Sequence, residues 1–196
     1  MFHSHRPNLD SVLCYSREPS WPREAHEYIR FLERGRLHRD NFLAKVSSGA
    51  NVHPSAIIEE GCYIANGTFI GPNCKISHGS FVSSGCQLGF CVEIYGSILL
   101  NNTKIAHVAC ISHSIIGPNC NLAFGFVTAT RSIESRPIRV KLSEDLSYFS
   151  SERHHGCVIM DGVQSGVHCS VMPGATIGNG AILYPNRAYW FAPSQT

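Results

Sequence analysis

The aliphatic residues of this chain fall into a period that belongs to neither helix nor ordinary strand. From Val52 an aliphatic side chain returns at every sixth position, through Ile58, Ile64, Ile70, Ile76, Val82, Leu88 and Ile94. The beat is lost for one stretch, resumes at Ile105 and Ile111, and slips by one residue to Ile116 and Leu122. It returns at Ile159, Val171, Ile177 and Leu183, with Ser165 once in the aliphatic slot. Three places after the aliphatic residue stands glycine, as at Gly61, Gly67, Gly79, Gly85, Gly125, Gly162, Gly174 and Gly180, or asparagine, as at Asn73, Asn119 and Asn186. These are the residues that accept a positive φ at small cost. Proline takes the place before, at Pro54, Pro72, Pro118, Pro173 and Pro185, where its fixed φ suits the first central residue of a turn. Each hexad is therefore a short strand and a turn. A helix is excluded, because a six-residue period matches neither 3.6 nor a heptad and the Pro-Gly punctuation would break it.

Strands that turn every six residues bury their aliphatic side only if the chain coils around it and the coils stack at strand spacing, about 4.8 Å. The pattern predicts an all-β fold, a parallel β-helix, over residues 46–196, interrupted by a loop at about 130–157. Residues 1–45 form an extension. Within it Pro22, the apolar Ala25, Tyr28, Ile29 and Leu32, and Gly35 as a stop predict one N-terminal α-helix over about 22–35. A solenoid end exposes apolar side chains and unpaired backbone, so this helix is expected to cap or pack on the coils, with partner binding as the alternative. The aromatic stretch AYWFAPSQT has the same two readings: a cover for the last coil, or a partner contact.

Composition then narrows the picture. A chain of 196 residues with 43% hydrophobic and 15% charged content suits one domain with a real core plus an extension. Its nine cysteines are odd in number and include no CxxC pair. Five of them, Cys62, Cys74, Cys86, Cys120 and Cys169, occupy the fourth place after the aliphatic residue, where a small inward side chain belongs. They read as small buried hydrophobes rather than as disulfide partners or metal ligands. A net charge of +2 supplies no field for nucleic acid or an anionic membrane, so small molecules are the expected partners. With no run of eighteen apolar residues and no signal pattern, a soluble cytoplasmic protein is expected.

Candidate chemistry gathers in and after "KIAHVACISHSIIGPNC", residues 104–120. His107 and His113 share with His78 the second place after the aliphatic residue, which elsewhere holds proline, Glu60 or Asn66 and signals turn and solvent. Register alone does not separate a catalyst from a turn residue there. Arg131, Arg136, Arg139 and Lys141 form a basic run opposed only by Glu134. Their forked and cationic groups suit a phosphate, or else simply edge a solvated loop.

The stretches "SILLNNTKIAHVACISHSIIGPNCNLAFG" and "GVHCSVMPGATIGNGAILYPN", with the break between them, resemble the acetyltransferase domain of bifunctional sugar-1-phosphate nucleotidylyltransferases. That domain is a hexapeptide-repeat transferase, and "WPREAHEYIRFLERG" resembles the helix joining the two halves of such enzymes. The resemblance implies a left-handed coil, a hand that periodicity does not supply. It also implies an acyl-CoA-dependent N-acyltransferase that uses acetyl-CoA or another acyl-CoA, needs no metal, and works as a homotrimer with its sites in the clefts between subunits. "KIAH" matches the motif whose histidine is a general base. His107 would then take a proton from the amino group of a phosphorylated or nucleotide-linked amino sugar as that group attacks the thioester. The same resemblance sets the acceptor against Cys110, His113, Thr130, Arg131, Arg136 and Arg139, and the coenzyme against Val167 and Lys141.

Several positions depart from the family pattern. Cys110 stands where tyrosine is common, Ser112 and His113 replace Gly-Asp, and Thr130 replaces an acceptor-binding asparagine, while Arg136 and Arg139 keep the charge of lysines. Altered sugar-reading groups leave two alternatives open: an acyltransferase for a hydroxyl or a non-sugar amine, and a catalytically silent trimeric scaffold or regulatory subunit. A zinc set built from His154 and His155 with His107 or His113, as in hexapeptide carbonic anhydrases, is not expected. The spacing of His107 and His113 is six rather than five, and successive faces of a coil point apart.

Overall fold

The computed structural model describes residues 25–26, 45–133, 136–150 and 153–194. Among these the chain is a left-handed parallel β-solenoid of about 8 turns. Coil one holds β1 (Lys45–Val46), β2 (Asn51–Val52) and β3 (Ile57–Ile58), and coil two holds β4 (Tyr63–Ile64), β5 (Phe69–Ile70) and β6 (Lys75–Ser77). Coil three follows with β7 (Phe81–Val82), β8 (Gln87–Leu88) and β9 (Glu93–Tyr95), and coil four with β10 (Ile98–Leu99), β11 (Lys104–Ile105) and β12 (Cys110–Ser112). Coil five is β13 (Ile115–Ile116), β14 (Asn121–Leu122) and β15 (Val127–Thr128). The interruption carries an antiparallel hairpin, β16 (Ile138–Lys141) and β17 (Ser147–Ser150). The coils then resume with β18 (Val158–Ile159), β19 (Gln164–Ser165), β20 (Ser170–Ile177), β21 (Ile182–Leu183) and β22 (Ala188–Ala192).

Parallel pairing between coils makes three faces. Face 1 runs β1-β4-β7-β10-β13-β18, face 2 runs β2-β5-β8-β11-β14-β19-β21, and face 3 runs β3-β6-β9-β12-β15. β20 bends round the corner from face 3 to face 1 and so joins those two faces into one sheet, with β22 beside it. The aliphatic position of each hexad points inward. Ile64, Ile70, Ile76, Leu88, Ile94, Ile116 and Ile159 are fully buried in one continuous core, and Cys62, Cys74, Cys86, Cys120 and Cys169 line it as the small inward residues expected. Burying each large aliphatic side chain contributes about 1.5–3 kcal/mol. The two polar exceptions in the aliphatic column are satisfied: Ser165 Oγ accepts the backbone N–H of Ala123 from the coil before, at 2.9 Å, and Thr128 Oγ1 accepts that of Ser112 at 2.7 Å.

The lost beat has a structural cause. Leu99 fills the missing slot only five residues after Ile94, and Ile116 follows Ile111 by five. Both shortenings fall at the corner between faces 3 and 1, on adjacent coils, where Gly96 (φ +53°) and His113 (φ +46°) turn left-handed. Buried hydroxyls bridge the tightened corners. Ser97 N–H donates to Ser80 Oγ at 3.2 Å, Ser114 N–H to Ser97 Oγ at 3.0 Å, and Cys157 N–H to Ser114 Oγ at 3.0 Å.

Of the helix expected over about 22–35, Ala25 and His26 lie among the described residues. Both are helical and buried; the remainder lies outside them. Their docking place is face 1. Ile98, Ile115, Val158 and Thr176 occupy the outward side of that face and are nonetheless buried, and His26 Nε2 pairs with Thr176 Oγ1 at 2.9 Å. At the other end, the aromatic stretch covers the last coil: Tyr189 packs on the core, and its hydroxyl meets Tyr184 N–H at 2.6 Å. Trp190 faces outward. Among the described residues no helix is long and apolar enough to cross a membrane.

Candidate functional site

The residues singled out in the sequence separate into two groups at opposite ends of face 3. His107 sits at the corner between faces 2 and 3, just before β12, and His113 at the corner between faces 3 and 1, just after it.

At the first corner the second place of the hexad reads, coil by coil, Pro54, Pro72, Phe90, His107, Phe124, Val167 and Pro185. Proline has no N–H to satisfy. Where Phe90 takes its place an N–H is present, and His107 of the next coil accepts it: Phe90 N to His107 Nδ1 is 2.8 Å. The ring lies against the turn so closely that a Cβ on Gly89 would stand 2.6 Å from Nδ1. His107 remains exposed to solvent, as are its column neighbours Phe90, Phe124 and Val167. The next residue, Val108, adopts φ +55°. A β-branched side chain in the left-handed region is a strained arrangement of the kind that persists at sites the surrounding structure over-determines. Cys110, three residues on, is half-buried at the start of β12. Burial, and then Glu93, pushes its thiol up, and its Sγ lies 3.9 Å from Glu93 Oε2.

The second corner is built of rings. His78 stacks on Tyr95 at 4.4 Å between centroids, Tyr95 meets His113 at 5.1 Å, and His113 stacks on His154 at 6.1 Å. The turn position that signals solvent elsewhere is buried here, because the shortened corner folds His113 under these neighbours. Burial first, and then His78 and His154, lowers its imidazole to about 4. His113 at this corner is therefore a neutral ring at pH 7.

Thr130, Arg131, Arg136, Arg139 and Lys141 lie on this side too. Thr130 accepts the backbone N–H of His155 through its carbonyl at 2.8 Å, tying the two ends of the interruption together. β16 crosses the bend of β20 at Gly174, where a Cβ would come within 2.4 Å of the Arg139 carbonyl oxygen. Arg139 Nε donates to Ser147 Oγ at 2.9 Å, and Lys141 Nζ sits 4.5 Å from the centre of the Phe191 ring. Arg131 and Arg136 are exposed. Among the described residues no group of three or more His, Cys, Asp or Glu side chains is arranged to hold a metal ion.

One chain thus brings His107 and Val167 to the first corner and His113, Thr130 and the basic residues to the second, with Cys110 on the face between. Sequence reasoning missed Gly89, Phe90 and Phe124. The signal was present: in four successive coils, the third to the sixth, the proline of one corner column gives way to Phe, His, Phe and Val.

Residues 66–143 match the family described as the GMPPB C-terminal domain. The Bifunctional protein GlmU of Methanococcus maripaludis (strain C7) is 38% identical over 94 residues, which are 48% of this chain and 22% of that protein. A bifunctional sugar-1-phosphate nucleotidylyltransferase/acetyltransferase of Sulfurisphaera tokodaii is 32% identical over 155 residues, covering 73% of this chain and 38% of that protein. The chain therefore spans well under half the length of these curated relatives. Among solved structures, a hexapeptide transferase family protein from Anaplasma phagocytophilum superposes with a TM-score of 0.50 at 15% identity, covering 78% of this chain and 80% of that one. Coil geometry and repeat together define a hexapeptide-repeat protein of the left-handed β-helix class. Within that class its sequence is similar to the C-terminal acetyltransferase half of the bifunctional nucleotidylyltransferases.

Proposed function

We infer that the chain is an acyl-CoA-dependent N-acyltransferase that moves an acetyl group to the amino group of a phosphorylated or nucleotide-linked amino sugar. The observation that carries this reading is where the similarity falls: on the β-helical acetyltransferase half of relatives named for two activities. Fold supports it as well, since the stacked coils give a rigid frame whose corner residues hold fixed positions. In this reading His107 is the catalytic residue, and the basic hairpin face supplies charge for the acceptor's phosphate or for the coenzyme. The two halves of the site lie at opposite corners of one chain. Homotrimeric packing of solenoids side by side would set the His107 corner of one copy against the hairpin corner of the next.

A silent scaffold is the second reading. What favours it is the bond from Phe90 N–H to His107 Nδ1, which gives the imidazole a purely structural task.

Acetyl-CoA turnover measured on a panel of amino-sugar phosphates, with wild type and His107→Ala in parallel and sedimentation to count subunits, tests the proposal. Turnover that collapses in the variant, in a three-copy species, is the expected result. Absence of both turnover and coenzyme A binding would hand the case to the scaffold, and full activity in the variant would remove His107 from the chemistry.

A further inference from the structure

The neutral imidazole holds one proton on two nitrogens, and whichever nitrogen accepts a hydrogen bond leaves the proton on the other. At the first corner this choice is made by the backbone. Phe90 N–H donates to Nδ1 of His107 at 2.8 Å, a donor that exists because the turn has no proline at this place. Gly89, with no Cβ, leaves the room that the ring occupies, and the strained backbone of Val108 follows directly after His107.

We propose that the Gly89–Phe90 turn is a tautomer lock that makes His107 a hydrogen-bond donor through Nε2–H, directed at an oxygen of the reacting acyl group rather than at the attacking amine. This rests on the acyltransfer reading above. A base acting through Nε2 would need that nitrogen bare and the single proton on Nδ1, and Phe90 N–H would then lose its acceptor.

The donor role balances chemically. The amine nitrogen bonds to the thioester carbonyl carbon, negative charge gathers on the carbonyl oxygen opposite Nε2–H, and the C–S bond then breaks as the carbonyl re-forms. The proton lost by the amine is the one taken up by the departing thiolate, directly or through water, and His107 keeps its own. A donor fixed in advance at the place where charge develops is a large contributor to acyl-transfer rates. The exposed rings of Phe90 and Phe124 on either side of His107 make that place apolar once a substrate or neighbouring copy covers it, which strengthens the bond. Gly89 and Phe90 are then positioning residues, and His107 the group that touches the reacting atoms.

Two measurements on the full chain test this. Nitrogen-15 NMR of labelled imidazoles, with His107→Gln used to assign the signal, should show at pH 8 a protonated Nε2 and an unprotonated Nδ1; the reverse tautomer would overturn the lock. In turnover, His107→Ala should lose about a hundredfold or more. His107→Gln, whose side-chain amide can present an N–H near the Nε2 position but cannot act as a base, should stay within about tenfold of wild type. Glutamine as damaging as alanine would overturn the donor role and restore the base. If wild type does not turn over, the acyltransfer reading itself fails and the NMR result still decides whether the turn sets the tautomer; if wild type turns over and alanine is harmless, the donor role alone is overturned.

Discussion

His26 Nδ1 lies 2.8 Å from His155 Nε2, and the two rings, both fully buried, stack with their centroids 5.1 Å apart. One comes from the short helical stretch at residues 25–26 and the other from the end of the interruption, so His155 and Thr176 hold His26 against face 1. Burial, reinforced by His155, holds His26 well below the usual imidazole value of 6.5. A group whose folded value is depressed in this way contributes stability that is intact above about pH 6.5. It is lost as pH falls, because the unfolded chain takes up a proton that the folded one refuses. His113, lowered to about 4, acts in the same direction. The thermal midpoint should be nearly level above pH 7 and fall between about pH 6.5 and 4. His26→Phe should flatten part of that fall, and an unchanged profile in the variant would show that His26 is not the responsible group.

Val108 offers a gain in stability. The same corner position holds Asn73 and Asn186 on other coils, both left-handed like Val108. Asparagine tolerates that conformation and valine does not, so Val108→Asn should stabilise the chain by about 1 kcal/mol in denaturant unfolding. A loss instead would mean that the half-exposed valine side chain is engaged in a contact between copies.

Gly174 is the reverse case. It is left-handed (φ +74°), and its missing Cβ makes room for the Arg139 carbonyl where the hairpin crosses β20. Gly174→Ala should cost about 2–4 kcal/mol, combining backbone strain with overpacking. Hydrogen exchange in residues 138–150 should rise more than in β4 or β5, because the hairpin is displaced before the coils are.

The cysteines should divide by depth. Burial pushes the thiol of Cys86 up to about 11 and those of Cys120 and Cys157 up to about 12, while Cys91 is half-exposed at its corner. Alkylation of the native protein at pH 8, mapped by mass spectrometry, should modify Cys91 well before Cys86, Cys120 or Cys157, since the thiolate is the reacting form. Equal labelling of the four would indicate coils that open readily.

Periodicity reveals the architecture because one inward residue per hexad leaves a mark that no other fold makes. The five core cysteines were legible for the same reason. What it obscures are the places where the period changes. Leu99 stands off the beat because the corner below it is a residue short, and His113 reads as a solvent-facing turn residue although that shortening buries it. The hairpin of 138–150 has no repeat to betray it, and its docking on Gly174 depends on contacts far apart in the chain. For the candidate site, sequence resemblance points to His107 but is silent on its tautomer. That is set by a backbone N–H seventeen residues earlier, visible only as a proline that is not there.

The interruption leaves after Thr128, yet Ile115 pairs with Val158 and Ile116 with Ile159 as though nothing lay between. The stack closes across the gap with its own hydrogen bonds, and changing the length of the excursion at its solvent side carries only the slow logarithmic penalty of a larger loop. That junction behaves as a socket. Different excursions can be plugged into one unchanging shaft, the fitting exchanged while the tool's handle stays untouched.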